Sequence, residues 1–364
     1  MKARGLLFCS LALVAGCDSP FFVIHDGGTP ADAAPLLDAG CVPYTTRKIA
    51  IDPAHGGETR LLIGAGSGVL VASVGSPAAL YRYTESAGFA PANAVLPLGF
   101  IPRAGAVADD GRVLLSGSSG RLALGASIDA QFQIIATSTS GDDLTFASAV
   151  FSRSSTTVFI LSTAQDHSGR LLRYDGQRFS RLWGPGPLTP PGFGFGHAAV
   201  VAVSSREAFA VSRGGVCLTL PRCVLHAEDD VVAEESTGDE VPTTVAVLPG
   251  GRVVAGTARG GLLERGADGA WRALGSLRTP SFVTEVSETS MVRTILPLEA
   301  GVAFFTDVWF GRVLPGEGTC EPTVISLFST LEHVFGAAQV GDQFVVVGAP
   351  ASGSVAAVVE PNQR

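Results

Sequence analysis

Residues 243–275 read TTVAVLPGGRVVAGTARGGLLERGADGAWRALG and contain the pattern that decides the fold. Apolar stretches at 244–247, 253–256, 262–265 and 271–275 alternate with short turns rich in Gly, Pro and Asp. Stretches this short, bounded by turn residues on both sides, are typical of β-strands rather than helices. The segment therefore predicts an antiparallel unit of four strands.

The same unit recurs along the chain. Its second strand begins near residues 69, 113, 158, 208, 253, 302 and 344, so successive units are spaced by 44, 45, 50, 45, 49 and 42 residues. Seven units of this length are typical of an all-β, seven-bladed β-propeller with four-stranded blades. The alternative is a pair of β-sandwiches with a coincidental spacing.

The two ends of the repeat region predict how the ring closes. The seventh unit ends after the stretch 355–360 without a fourth strand, whereas the strand-like stretch 46–52 precedes the first unit. Propellers commonly close when one terminus completes the blade that the other began. We therefore expect residues 46–52 to supply the outer strand of blade seven.

Composition excludes several other classes of protein. The 364 residues are 46% apolar and 16% charged, with 45 Gly and 22 Pro, and only Lys2 and Lys48 are lysines. Because helix-forming residues are scarce, the composition excludes a helical bundle. The apolar fraction is large enough to form a hydrophobic core. A net charge of -8 disfavours a nucleic acid as partner.

The N-terminus predicts export. Lys2 and Arg4 precede the apolar stretch 5–14, which is too short to span a bilayer, and small residues follow. The last four of these residues, Val14-Ala15-Gly16-Cys17, resemble the lipobox of bacterial lipoproteins. That resemblance implies a lipid on Cys17 and anchoring in the bacterial cell envelope, on its periplasmic or outer-membrane face. The alternative is an ordinary signal peptide with an incidental cysteine.

We divide the chain into a signal peptide at 1–16, a lipidated tether at 17–43 and the propeller at 44–364. The tether is mostly small residues with Asp and Pro, which is typical of a flexible linker. Removing Lys2 and Arg4 leaves 23 basic and 33 acidic residues, a net charge of -10 for the mature chain.

Four cysteines remain in an oxidising compartment once Cys9 is cleaved off and Cys17 carries lipid. Three pairings of Cys41, Cys217, Cys223 and Cys320 are possible. The short separation and the intervening proline favour Cys217–Cys223, which leaves Cys41–Cys320. No C-x-x-C spacing supports a zinc site.

The unit at 249–271 carries the most specific resemblance to a known family. It is similar to a blade of the bacterial periplasmic propellers related to two-component sensors and to Asp-box repeats. The turn Asp268-Gly269-Ala270-Trp271 lacks the Ser and Thr of an Asp box, so membership of the sialidases is not supported.

A candidate ligand site follows from the repeat. The turns between second and third strands should lie on one side of the ring, around its central mouth. In blades three to six these turns carry Asp166, His167, Arg213, Arg259, Asp307 and Trp309. Such a set suits an anionic or sugar-like ligand. The alternative is that they are ordinary polar turn residues.

Other candidate sites are weak. The six histidines share no metal-ligand spacing and are interpreted as loop or turn residues. The acidic run of residues 228–235 is interpreted as a solvated insertion rather than a calcium site, because no Asp/Asn-Gly ligand spacing accompanies it. We expect no metal and no cofactor.

Fold does not decide function in propellers. We expect a monomeric, lipid-anchored envelope module that binds a protein or a glycan and is not an enzyme. The alternative is a polysaccharide lyase or glycosidase, for which Asp166, His167 and Asp307 are the only candidate catalytic residues.

Overall fold

A computed structural model of the chain describes most of the repeat region. The described residues are 43–52, 58–65, 68–74, 79–108, 110–117, 119–138, 143–151, 156–164, 168–187, 198–212, 217–220, 222–276, 291–299, 301–307, 309–314, 318–319, 323–324, 331–350 and 354–362. The chain divides into two units, Met1–Leu37 and Asp38–Arg364, and all described residues belong to the second.

The described strands form seven antiparallel sheets, one for each predicted unit. Blade 1 contains β2 (Glu58–Ala65), β3 (Gly68–Val74), β4 (Ala79–Thr84) and β5 (Gly88–Pro91). Blade 2 contains β6 (Pro102–Val107), β7 (Val113–Gly117), β8 (Arg121–Gly125) and β9 (Gln133–Thr137). Blade 3 contains β10 (Asp143–Phe151), β11 (Val158–Ala164), β12 (Ser168–Tyr174) and β13 (Phe179–Pro187).

The second half follows the same plan. Blade 4 contains β14 (Ala198–Ala202), β15 (Glu207–Ser212), β16 (Cys223–Glu228) and β17 (Val231–Ser236). Blade 5 contains β18 (Pro242–Val247), a 3-10 turn (Pro249–Gly251), β19 (Val253–Thr257), β20 (Gly261–Arg265) and β21 (Trp271–Ser276). Blade 6 contains β22 (Thr294–Leu298), β23 (Gly301–Phe305), β24 (Trp309–Leu314), β25 (Gly318–Thr319) and β26 (Thr323–Val324). Blade 7 contains β27 (Leu331–Val340), β28 (Gln343–Pro350), β29 (Ser354–Pro361) and β1 (Tyr44–Asp52).

The seven first strands make a closed inner ring. Each of β2, β6, β10, β14, β18, β22 and β27 contacts the first strand of both neighbouring blades, and β27 returns to β2. The ring closes as predicted, because β1 pairs with β29 from Tyr44↔Pro361 to Asp52↔Ser354. The all-β propeller with seven blades is confirmed.

The apolar core lies between the blades. Seven clusters of buried side chains each draw on two adjacent blades, one cluster for every seam of the ring. In β7, Val113 and Leu115 pack toward blade 1, whereas Leu114 packs toward blade 3. Side chains alternate across a strand, so a strand covered on both faces must be apolar throughout. This explains the continuous apolar runs of the second strands.

A buried hydroxyl repeats at the end of the second strand. Ser162, Ser212, Thr257 and Thr306 occupy this position and are buried. The Oγ1 of Thr257 accepts a hydrogen bond from the backbone N–H of Gly261 at 3.0 Å, and that of Thr306 accepts one from Trp309 at 2.8 Å. In blades 5 and 6 the hydroxyl therefore braces the turn that leads into the third strand.

The outer strand of blade 6 departs from the four-strand plan. β25 and β26 both pair with β24, on either side of residues 320–322. Tyr44, at the start of β1, contacts the same strand: its ring lies 5.0 Å from that of Phe310, and its hydroxyl accepts a hydrogen bond from Arg312 at 2.9 Å. Cys41 and Cys320 lie outside the described residues, so their pairing stays a prediction.

The N-terminal assignments stay predictions as well. Residues 1–42, with Cys17 and the proposed signal peptide and tether, lie outside the described residues. Among the residues that the structure describes, none belongs to a helix with the length and hydropathy that a membrane crossing needs.

Candidate functional site

The turns between second and third strands lie at the same end of every blade, because all seven sheets share one meander. Asp166, His167 and Arg213 occupy these turns in blades 3 and 4 but lie outside the described residues. Arg259 and Asp307 lie on the corresponding turns of blades 5 and 6, and Trp309 begins the strand that follows. We call this end of the ring the B–C side.

Arg259 is exposed at the tip of its turn. The turn is held by the hydroxyl of Thr257, and Gly260 takes a φ of +79° that L side chains rarely adopt. The guanidinium is thus presented to solvent on a short, well-defined turn. Its role in ligand binding stays a prediction.

Asp307 was expected on an open turn around the central mouth, but its side chain is buried. Its side chain is 6% exposed and forms an ion pair with Arg293, which is 1% exposed. Its Oδ1 accepts from Arg293 Nε at 2.9 Å and from the backbone N–H of Val334, in blade 7, at 2.8 Å. The carboxylate therefore links blades 6 and 7, and we do not carry it into the proposed site. Trp309 is half-buried.

A disulfide confirms the predicted local pairing of Cys217 with Cys223 on the B–C side of blade 4. The backbone N–H groups of Leu218, Thr219 and Leu220 all donate to the carboxylate of Glu234, at 2.6, 2.9 and 3.0 Å.

The hydroxyl of Thr219 donates to the same carboxylate. Burial would raise the pKa of Glu234, but the hydrogen bonds from Thr219 and from the three backbone amides lower it. Leu218 remains 61% exposed. The loop is thus fixed at both ends by the disulfide and along its length by Glu234, and it projects an apolar tip.

The acidic run is not an insertion, so that part of the interpretation is wrong, although Asp230 is 79% exposed to solvent. Residues 228–231 form the hairpin turn between β16 and β17. Asp229 pairs with Arg206, and Asp230 pairs with Arg173 of blade 3 at 2.6 Å. These carboxylates join strands and blades. No group of three metal-ligating side chains occurs in the described part of the chain.

A polar cluster that the sequence analysis missed lies in the seam between blades 4 and 5. His226 is in β16, not in a loop, and lies between Glu207 at 3.1 Å and Glu235 at 2.9 Å. Arg265 of blade 5 donates to both oxygens of Glu235 at 2.7–3.0 Å, and the indole N–H of Trp271 donates to it at 3.0 Å. We call these residues the seam cluster.

Aromatic stacking completes the seam cluster. The ring of Phe209 lies parallel to the imidazole of His226, with centroids 4.4 Å apart, and Arg265 lies 5.3 Å from the centre of the same ring. Strand alternation offered a signal: His226 shares a face with Val224, which packs toward blade 5. A histidine at such a position indicates a buried polar contact.

The seam cluster shifts the pKa values of its members in opposite directions. The hydrogen bond with Glu235 raises the pKa of His226 above 6.5, against the opposing effects of burial and of Arg265. Burial alone would raise the pKa of Glu235, but hydrogen bonds from His226 and Arg265 outweigh it and lower the pKa to about 2. The cluster therefore favours a protonated imidazole beside an ionised carboxylate.

These shifts predict a pH optimum for stability. A raised pKa makes the contribution of His226 complete below pH 6.5, and that contribution is lost as the pH rises through the folded-state value. The contribution of Glu235 is present above pH 4.5 and is lost as the pH falls toward about 2. Urea unfolding of His226→Gln should show a smaller loss of stability above neutral pH than the parent chain. An equal loss in both proteins would contradict this assignment.

The closed ring of seven antiparallel blades defines this protein as a β-propeller. No family model and no curated protein matches the chain. Solved structures do match it. The WD40 β-propeller domain of Doa1 has a TM-score of 0.59 at 11% identity, over 88% of this chain and 98% of that one.

Two further similar structures are of YCF48. YCF48 bound to a D1 peptide has a TM-score of 0.57 at 11% identity, over 88% of this chain and 99% of that one. YCF48 from Cyanidioschyzon merolae has a TM-score of 0.54 at 10% identity, over 87% and 99%. At such identities the likeness shows the fold alone.

Proposed function

We propose that the protein is a binding module of the bacterial cell envelope, anchored by lipid at Cys17, that binds a protein partner on the B–C side of blades 4 and 5. The contact surface would consist of Leu218 and Thr219 on the disulfide loop and Arg259 on the turn of blade 5. In the sequence, Arg213 precedes Cys217 in the same connection between β15 and β16, so it is a candidate for the same surface.

The observation that carries this proposal is the bracing of the disulfide loop. Exposed loops normally lose conformational entropy when they bind, which weakens the complex. Here a disulfide and four hydrogen bonds to Glu234 have already ordered the loop, while Leu218 stays exposed. A rigid apolar tip on blade 4 and an exposed cation on the corresponding turn of the adjacent blade suit a partner with an apolar pocket and a carboxylate.

The fold is compatible with this use. The D1 peptide bound to YCF48 is an example of a peptide ligand on a propeller of similar architecture. The anchor is supported by the sequence Val14-Ala15-Gly16-Cys17. Metabolic labelling with palmitate tests it separately, since label should enter the parent chain and not Cys17→Ser.

The binding proposal is tested by cross-linking the anchored protein in its own envelope. The captured partner is identified and purified, and its affinity is measured against variants. Leu218→Asp and Arg259→Glu should each weaken binding by about tenfold or more, because each removes one complementary contact.

Val231→Asp is the matched control, since Val231 is 71% exposed on the opposite end of the same blade. Its affinity should equal that of the parent chain. Equal affinities for Leu218→Asp and the parent would contradict the proposed surface, and capture of a glycan instead would replace the partner class.

A further inference from the structure

Exposed apolar side chains are concentrated on blade 2. Seven large apolar residues are exposed in the described part of the chain, and five of them lie in the connection to blade 2 or on its outer strand. Leu98 is 98% exposed, Val95 57%, Ile134 37% and Ile101 36%. Ile135, at 36%, is the fifth.

Backbone contacts bring the connection and the outer strand together. Val95 and Gln131 form a parallel β-bridge, and the N–H of Phe132 donates to the carbonyl of Val95 at 2.9 Å. Further along, Arg121 donates to the carbonyl of Gly99. The connection therefore runs alongside the segment that becomes β9, which begins two residues after Gln131.

Side-chain register extends the same surface. Ile134 pairs with Ala123, which belongs to the buried cluster that also holds Phe100 and Phe132. Val95, Leu98, Ile101 and Ile134 thus border one buried seam, between blades 1 and 2. We call these four residues the blade 2 ridge.

The apex of the ridge is a turn. The N–H of Phe100 donates to the carbonyl of Pro97 at 3.0 Å, and Gly99 takes a φ of +65°. Leu98 lies at the tip of this turn. Directly behind it, the guanidinium of Arg121 lies 5.6 Å from the centre of the Phe100 ring.

The charges around the ridge are mostly basic. Residues 86–108 contain no Asp or Glu, although the chain has 33 acidic residues. The carboxylate that contacts the connection is Asp129, which accepts from the N–H of Asn93 at 3.2 Å and pairs with Arg82 at 2.6 Å. Asp129 is paired with Arg82, so the charge at the apolar tip is that of Arg121. An apolar tip with a cation behind it matches an anionic lipid surface.

We propose that the blade 2 ridge binds a membrane surface, with Leu98 inserted among the lipids and Arg121 at the level of the phosphates. The shape favours lipid over a protein partner. A stable protein interface buries about 800 Å² on each partner, whereas the ridge offers four side chains around one convex turn. A bilayer accepts such a tip without a complementary pocket.

The proposal rests on the proposed lipid anchor in one respect only. Few apolar side chains give weak membrane binding by themselves, and a second attachment makes such binding stable. A tether would hold the ridge near the membrane at high effective concentration. The ridge would then set which side of the propeller faces the bilayer.

The test uses the mature chain, without the predicted signal peptide at 1–16 and with Cys17→Ser, so that neither an attached lipid nor the apolar stretch 5–14 contributes. Sedimentation with a large excess of vesicles of phosphatidylethanolamine and phosphatidylglycerol should pellet a measurable fraction of this protein, and added salt should reduce that fraction. Leu98→Asp should lower the partition coefficient by about tenfold or more. Val231→Asp, which changes an apolar residue that is 71% exposed on blade 4, should not lower it.

Leu98→Trp gives an independent readout, since its emission should shift to the blue on these vesicles if residue 98 enters the bilayer. Absence of pelleting, equal pelleting of Leu98→Asp and the parent, or an unshifted emission would each overturn the proposal. A photo-cross-linker at residue 98 that labels only protein in the envelope would overturn it in favour of a protein partner. None of these outcomes depends on the partner surface of blades 4 and 5.

Discussion

Replacing Asp307 by alanine should lower the free energy of unfolding by about 3–5 kcal/mol, because it removes the carboxylate that pairs with the buried guanidinium of Arg293. The two side chains are 6% and 1% exposed, so solvent does not screen the loss. The backbone N–H of Val334 would lose its acceptor at the same time. Denaturant unfolding of the variant and the parent chain measures the difference.

An exposed pair provides the control for Asp307. Asp230 is 79% exposed and pairs with Arg173 of the neighbouring blade, so Asp230→Ala should cost less than about 1 kcal/mol. The double variant Arg293→Met/Asp307→Leu removes both charges and should be more stable than Asp307→Ala. Equal stabilities of Asp307→Ala and Asp230→Ala would show that the buried pair does not hold blades 6 and 7 together.

Replacing Glu235 by alanine should cost about 3 kcal/mol, because this carboxylate is the shared acceptor of the seam cluster. Arg265 would lose the carboxylate with which it pairs, His226 would keep only Glu207, and the N–H of Trp271 would lose its acceptor at 3.0 Å. Removal of the Glu235 side chain also admits water beside the indole of Trp271, so the fluorescence emission of Trp271 should shift to the red. Urea unfolding and tryptophan fluorescence measure the two effects.

Glu264 is the matched control for Glu235, since it forms an ion pair with Arg252 within blade 5, where the two side chains are 27% and 53% exposed. Glu264→Ala should cost less than about 1 kcal/mol. If the two variants unfold alike, the seam cluster is no more than a surface network.

The fold was predictable because packing between blades requires a recognisable pattern of apolar residues in the sequence. A second strand is buried on both faces, so stretches such as Val113–Gly117 read as continuous apolar runs at a regular spacing. The missing fourth strand of the last unit was an equally local signal, and β1 supplies it. Cys217–Cys223 was predictable for the same reason, since its partners are six residues apart.

The functional residues were less predictable because their roles depend on contacts between blades. From the sequence, Asp307 is predicted to be an exposed turn residue. In the structure it is buried, where it pairs with Arg293 and accepts a hydrogen bond from Val334 of the next blade. His226 reads as a scattered histidine, and only the pairing of β16 with β15 and β17 brings Glu207 and Glu235 to its two nitrogens. Glu207 and Glu235 lie 19 and 9 positions from His226, on two different strands, and no local pattern associates the three residues.

The sequence by itself determined the number of units, the strand pattern within each and the strand that closes the ring, because these follow from alternation and turn chemistry over a few residues. Tertiary structure alone decided which polar side chains are buried and which apolar ones are exposed. Burial of Asp307 and Glu235, and exposure of Leu98 and Leu218, depend on where one blade meets the next. Contacts between blades join residues that are far apart in the chain, so the local sequence does not predict them.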